Sequence, residues 1–387
     1  MVFDGHKNFS LFFCGINLKE YILLGFKVVS SQSAALTNTV VAHTNEAGPT
    51  MKTAFKLKTL FAAVALAASS VASVASAQNQ LLNVSYDVAR EFYKDYNQAF
   101  VAHYKKTTGQ DVKIDQAHGG SSAQARAVND GLDADVVTFN TTTDIEFLAH
   151  NGVVAKDWAK QFPHDASPTT STMLFLVRDG NPKNIKDWSD LTRPDVKVVV
   201  VNPKTGGNGR YAYLAAWGAV REGGGSDAQA QEFVKNLYKN VPVLGKGGRD
   251  ATAIFLQRNI GDVLITFESE VISVNREFGK GKVQAVYPSS SIVAENPVAI
   301  VERTAKKKGS GALAKAYLDY LYTDEAQEIA AQHALRPRSQ TVLAQHADVF
   351  KPLKQFTVAK YFGSLGEAQK VHFNDGGKFD EIYTPGK

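Results

Sequence analysis

Three short runs join glycine to hydroxyl, amide or charged side chains and lead straight into a helical pattern: His118-Gly119-Gly120-Ser121-Ser122, Asn202-Pro203-Lys204-Thr205-Gly206-Gly207-Asn208-Gly209 and Lys246-Gly247-Gly248-Arg249-Asp250. Each has the makings of an anion site. The first turn of a helix has N–H groups without intrahelical partners and carries the positive end of the helix dipole, and glycine lets backbone approach a ligand closely. A single run would read as an ordinary turn. Three of them, spread over more than a hundred residues, point to one site assembled from several helix ends.

The elements that must position these turns alternate between strand and helix patterns, as expected for α/β sheets. Strands are expected over 81–85, 112–115 and 134–139, with helices over 88–106 and 121–132, the second capped by Ser121. A continuous apolar strand at 173–177 opens a second lobe near Ser171. Within it, a strand at 196–201 enters the second glycine turn and a helix over 211–221. Strand 241–244 enters the third turn, with Asp250 as N-cap of a helix through Arg258. Strand 262–267 then runs into a helix opened by Glu268, and 297–301 reads as the return crossing to terminal helices over 311–322 and 324–333. Two crossings make a hinge. The first two turns sit at the carboxyl ends of strands, the edge where ligands bind in such sheets.

The remaining features narrow the class. Met51 to Lys58 is a basic n-region, residues 60–68 form a short apolar run, and Ala75-Ser76-Ala77 is a small-residue cleavage site, so residues 51–77 read as a signal peptide cut after Ala77. Residues 1–50 then read as an upstream extension ahead of the true start at Met51. Residues 1–77 hold six lysines and three acids, which leaves 37 basic and 35 acidic side chains beyond them. That near-balance argues against nucleic acid as a partner. The single cysteine, Cys14, lies in the discarded part, so a mature chain has neither a disulfide nor a thiolate nucleophile. His103, His118, His150, His164, His333, His346 and His372 lack metal-ligand spacing, the turns lack the Gly-Lys-Ser/Thr ending of a nucleotide loop, and Ser121 lacks a nucleophile-elbow context. No cofactor is expected.

These segments together resemble the periplasmic sulfate- and thiosulfate-binding proteins of ABC importers. The resemblance runs from Leu82-Asn83-Val84-Ser85-Tyr86-Asp87 to His372-Phe373-Asn374-Asp375-Gly376-Gly377. Its most specific pieces are Thr108-Gly109-Gln110-Asp111-Val112 with His118-Gly119-Gly120-Ser121, and Asn202-Pro203-Lys204-Thr205 running to Arg210. Tyr213 to Gly218, Gly261 to Ile265 and Phe267-Glu268-Ser269-Glu270 add to it. It implies a two-lobed, type II periplasmic-binding-protein-like α/β fold, each lobe a mixed sheet flanked by helices, with lobe 1 built from 78–170 plus 295–387 and lobe 2 from 171–294. It also implies a dianion held dehydrated between the lobes by uncharged donors. Carried over by motif, Ser121 gives its hydroxyl and N–H, Gly120 and Ser122 shape that loop, Gly207 and Asn208 give N–H groups from the second lobe, and Gly248 gives another. Asp87 and Arg210 match a pair that links the lobes and braces the site, with Arg249 similarly placed. The implied protein is a monomer and not an enzyme; it works in the periplasm and hands sulfate or thiosulfate to a membrane permease and its ATPase subunits.

Four positions depart from the pattern. Gly206 stands where the family has a serine, which removes a hydroxyl donor that Thr205 or Asn208 would have to replace. Gly209 stands for an alanine. Phe267 stands where sulfate-selective members carry a tryptophan and thiosulfate-associated members resemble this chain, and an apolar ring suits the weakly accepting sulfur of thiosulfate. Asp250 stands for a glycine, either as an N-cap or as an acceptor that would favour a protonated oxyanion such as phosphate over sulfate. Phosphate or molybdate is therefore the alternative ligand, and a secreted hydrolase of phosphate or sulfate esters is the alternative from the enzyme class.

Overall fold

Continuous apolar strands bury both of their faces, and the second lobe shows how. Along β5 (Met173–Arg178), Met173, Phe175 and Val177 enter one core while Leu174 and Leu176 enter another. β6 (Val198–Val201) and β8 (Val263–Phe267) alternate in the same way. A period of two residues on a sheet with helices on both faces produces this split. With β7 (Leu244–Gly245) and β9 (Val283–Val286), these strands form a mixed five-stranded sheet in the order β7-β6-β8-β5-β9. The computed structural model describes residues 79–278 and 281–383. The leader expected at 51–77, its cleavage point and the extension before it lie outside the described residues.

The first lobe has a four-stranded sheet in the order β12-β3-β1-β2, built from β1 (Gln80–Tyr86), β2 (Lys113–Gly119), β3 (Val136–Thr138) and β12 (Val298–Ile300). β2 and β3 both run parallel to β1, and β12 runs antiparallel to β3. Helices α1 (Arg90–Thr108), α2 (Ser121–Asn129) and α3 (Thr142–His150) follow the strands and supply Phe92, Tyr96, Val128 and Leu148 to its core. Both lobes are therefore mixed sheets flanked by helices.

The connection between the lobes differs from the expected pair of crossings. β4 (Thr169–Ser171) pairs antiparallel with β11 (Ala294–Asn296) and also with β13 (Arg336–Pro337), so three strands share the hinge. After β13 the chain returns to the second lobe. β14 (Lys354–Phe356) lies parallel to β10 (Ser290–Ile292), and Phe356, Phe362, Leu365, Phe373 and Phe379 fill the second lobe's core. The tail of the chain thus packs on the second lobe, not the first. Its aromatic residues complete a core that the sheet and helices alone leave open.

Candidate functional site

Each glycine turn follows the carboxyl end of a strand: β2 for the first, β6 for the second and β7 for the third. The helices that start there are α2, α4 (Gly207–Glu222) and α6 (Gly248–Leu256). Their N-caps are Gly120, Gly206 and Gly247, and none has a side-chain capping hydrogen bond. Elsewhere the chain caps in the ordinary way, with the hydroxyls of Ser226, Thr323 and Ser339 accepting from first-turn N–H groups. At the three glycine turns the N–H groups of Ser121, Ser122, Gly207, Asn208 and Gly248 find no acceptor among the described residues. Orphan donors of this kind suit an anion.

The three turns meet across the lobes. A Cβ added at Gly120 would lie 3.2 Å from the Thr205 carbonyl oxygen and 3.4 Å from that of Lys246. At Gly247 it would lie 2.6 Å from Asp87 Oδ2 and 3.8 Å from the Gly120 Cα, and at Gly248 2.7 Å from Val88 Cγ1. At Gly207 it would strike Asn140 Oδ1 and come within 2.9 Å of Thr141 Cγ2. At Gly120 backbone faces backbone, and at Gly207, Gly247 and Gly248 the bare α-carbon lets a first-lobe side chain come close. Gly209 is explained differently: its Cβ would collide with Val201, Asn202 and Pro203 of the preceding strand and turn.

Two helix starts differ from expectation. Ser121 is the first residue of α2 and Gly120 the cap, and Asp250 lies inside α6 behind the cap Gly247. The Asp250 carboxylate accepts from the Lys246 N–H at 2.8 Å and sits 3.8 Å from Arg258, so it steadies the third turn. The Ser121 hydroxyl donates to Asp144 Oδ2 at 2.5 Å and the Ser122 hydroxyl to Oδ1 at 2.8 Å, which leaves Ser121 its N–H for a ligand. Thr205 donates to the Lys246 carbonyl at 3.0 Å and the Asn202 carbonyl at 3.1 Å, so its hydroxyl joins the second turn to the third. Asn208 sends Nδ2 to Thr266 Oγ1 at 2.9 Å. Phe267 is 1% exposed, and its ring packs 6.1 Å from that of Tyr211.

The charged residues brace the turns from behind. Arg210, in the second lobe, reaches Thr143 at 3.0 Å, Asp144 at 3.3 Å and Ser122 at 3.0 Å in the first, and its Nε holds the Pro203 carbonyl at 3.1 Å. Arg210 and Asp144 are both buried. The two residues expected to act as a pair therefore link the lobes through different partners. Arg210 uses Asp144, while Asp87 accepts the Arg249 N–H at 3.0 Å. Burial pushes the Asp87 carboxyl above its usual value, and its bonds from the backbone N–H groups of Arg249 and Val88 pull it back. The Arg249 guanidinium lies 3.7 Å from Glu270, a buried carboxylate raised by desolvation.

Asn140, Thr143 and Asp144 did not stand out in the sequence. Their one signal is position: a polar run, Asn140-Thr141-Thr142-Thr143-Asp144, directly follows the expected strand 134–139 at the ligand-binding edge of the sheet. Among the described residues no group of three or more His, Cys, Asp or Glu side chains is placed to hold a metal ion. The arrangement presents neutral main-chain donors inward and keeps its charges behind them.

Comparison with known proteins gives a consistent picture. Residues 82–336 match the model of a family described as bacterial extracellular solute-binding protein. The chain is 54% identical over 331 residues to a thiosulfate-binding protein of Pseudomonas aeruginosa, covering 85% of this chain and 100% of that one. It is 49% identical over 311 residues to a sulfate-binding protein of Salmonella typhimurium, covering 80% and 94%. Among solved structures, the sulfate-binding protein SubI from Mycobacterium tuberculosis H37Rv superposes with a TM-score of 0.68 at 34% identity, over 76% of this chain and 98% of that one.

Proposed function

Because the chain belongs to the bacterial extracellular solute-binding family, alongside sulfate- and thiosulfate-binding proteins, we propose that it captures sulfate or thiosulfate between its lobes and delivers it to an ABC permease and ATPase. The observation that carries the reading is the meeting, across the lobes, of three glycine-capped helix ends where the N–H groups of Ser121, Ser122, Gly207, Asn208 and Gly248 have no acceptor among the described residues. A buried dianion is tolerated only where its oxygens are hydrogen-bonded, and fixed main-chain donors do that without a mobile counter-ion. Ser121, Gly207, Asn208 and Gly248 supply those donors, with Gly120, Gly206 and Ser122 shaping the loops. Asp87, Arg210 and Arg249 hold the turns in register. Contact with both lobes at once makes anion binding favour the closed arrangement.

The acceptor pattern favours a fully ionised ligand. Asp250 is turned to the Lys246 N–H, and both oxygens of Asp144 take bonds from side chains. Each carboxylate is engaged within the protein, whereas a site that prefers a protonated anion keeps an acceptor for the ligand's proton. Phe267 gives the site an apolar wall, which suits thiosulfate beside sulfate. The ester-hydrolase alternative has little support, since the Ser121 hydroxyl is bonded to a carboxylate and is not paired with a histidine base.

Export through the leader at 51–77 puts the mature chain in the periplasm, where it acts as a monomer. Isothermal titration of residues 78–387 against sulfate, thiosulfate, phosphate and molybdate in chloride buffer tests the reading. Saturable one-to-one binding of sulfate or thiosulfate with phosphate silent is expected. Binding of phosphate alone, or turnover of a chromogenic sulfate ester, would overturn it.

A further inference from the structure

Two buried amides at the lobe seam have polar atoms with nothing to bond. Asn140 and Asn208 are each 3% exposed, and the Oδ1 of each has no hydrogen-bond partner among the described residues. Buried polar side-chain atoms are nearly always paired, so each orphan needs a reason. The two lie at the helix ends that form the proposed site. Asn140 follows β3 in the first lobe and presses against Gly207, the first residue of α4, while the Asn208 amide lies 3.5 Å from where a Cβ on Gly248, the first residue of α6, would sit.

We propose that Asn140 is a side-chain donor to the bound anion, contributed by the first lobe, and that with Asn208 it sets which oxyanion the site prefers. The proposal rests on the anion-binding reading above and names the side chains that complete it. A half-turn of a carboxamide exchanges its oxygen and nitrogen with almost no change in shape. For Asn208 the half-turn keeps the 2.9 Å bond to Thr266, because that hydroxyl donates as readily as it accepts, and it points an N–H into the place of the orphan oxygen. For Asn140 it sets an NH2 group against the start of α4. Each orphan acceptor becomes a neutral donor, the type a buried dianion requires.

Donor accounting points the same way. The hydroxyls of Ser121 and Ser122 are committed to Asp144, and that of Thr205 to main-chain carbonyls. Gly206 and Phe267 have no side-chain donor to offer. The amides of Asn140 and Asn208 can provide it.

Titration of sulfate, thiosulfate and phosphate into the wild type and into Asn140→Ala and Asn140→Asp, at pH 8 and pH 5, tests this. Losing one neutral hydrogen bond should weaken sulfate about tenfold in Asn140→Ala, and it should shift the sulfate-to-thiosulfate ratio. Asn140→Asp should lose both dianions at pH 8 and regain part of its affinity at pH 5, where the carboxyl takes up a proton; a purely structural asparagine would not produce that recovery. If Asn140→Asp does not fold, the ratio in Asn140→Ala carries the test. Wild-type affinity with both variants unchanged would overturn the assignment of Asn140 and leave the anion-binding reading standing. Phosphate binding by the wild type that disappears in Asn140→Ala would make the amide an acceptor and overturn the donor role. A wild type that takes up neither sulfate nor thiosulfate would overturn both the proposal and the function it rests on.

Discussion

The absence of a Cβ on Gly207 lets the start of α4 touch the first lobe. A methyl there would strike Asn140 Oδ1 and come within 2.9 Å of Thr141 Cγ2. Overpacking of this kind costs about 1–3 kcal/mol. Because it falls on the closed arrangement alone, Gly207→Ala should weaken anion binding by roughly 10- to 100-fold while leaving circular dichroism and the unfolding midpoint of the unliganded protein unchanged. Wild-type affinity in the titration would mean that the lobes do not need this contact. Arg210 and Asp144 show the complementary strategy, since a buried charge pair is placed behind the donors and not among them. The sequence marked Arg210 but not its partner: an aspartate in the first turn of a nine-residue helix has an adequate local explanation as a favourable charge at the dipole's positive end.

At the scale of elements, strand positions in both sheets were legible because apolar runs and alternation come directly from burial on one or two faces. Helix starts were less legible. α4 begins at Gly207, four residues before the expected Tyr211, because glycine is a poor helix former and reads as turn, although at a first turn it serves a helix well. The return of 354–383 to the second lobe was missed for another reason. Its elements are three to five residues long, too short for any period to show, and only the packing of Phe356, Phe373 and Phe379 reveals where they belong. His372 in this tail supports a pH prediction. Its Nδ1 lies 3.0 Å from the Tyr213 hydroxyl and its ring meets Trp217 edge-on, so burial, helped by Lys378 and opposed by Asp227, holds its pKa down to about 4. The unfolded chain takes up this proton near pH 6.5 and the folded chain only near 4. Stability should therefore be complete above about pH 6.5 and should fall by about 1–3 kcal/mol on the way to pH 4. Urea unfolding of the wild type and of His372→Gln across that range checks it: the wild-type slope should flatten in the variant.

For the whole molecule, the sheet of the second lobe is tied to the hinge at the end of one strand. Phe267 closes β8, and the next residue, Glu268, fully buried, takes two bonds at 2.6 and 2.8 Å from Arg336 of hinge strand β13. Burial pushes the Glu268 carboxyl above its ordinary value despite the guanidinium. Arg336→Ala would strand that charge, and removing one partner of a buried pair costs about 3–5 kcal/mol. Because the carboxyl is raised, the loss should be large at neutral pH and smaller in acid, where a protonated Glu268 needs no counter-charge; equal losses under both conditions in denaturant titrations would mean that Glu268 is neutral throughout.

Donors drawn from the main chain also have a consequence for descent. An amide N–H is the same whichever residue carries it, so substitutions at Ser121 or Gly248 offer selection almost nothing to improve and much to break. On the proposed reading, change in ligand preference would be channelled into the few side chains beside those donors, and two lineages could share every loop yet diverge in diet through single codons at positions 140 and 208.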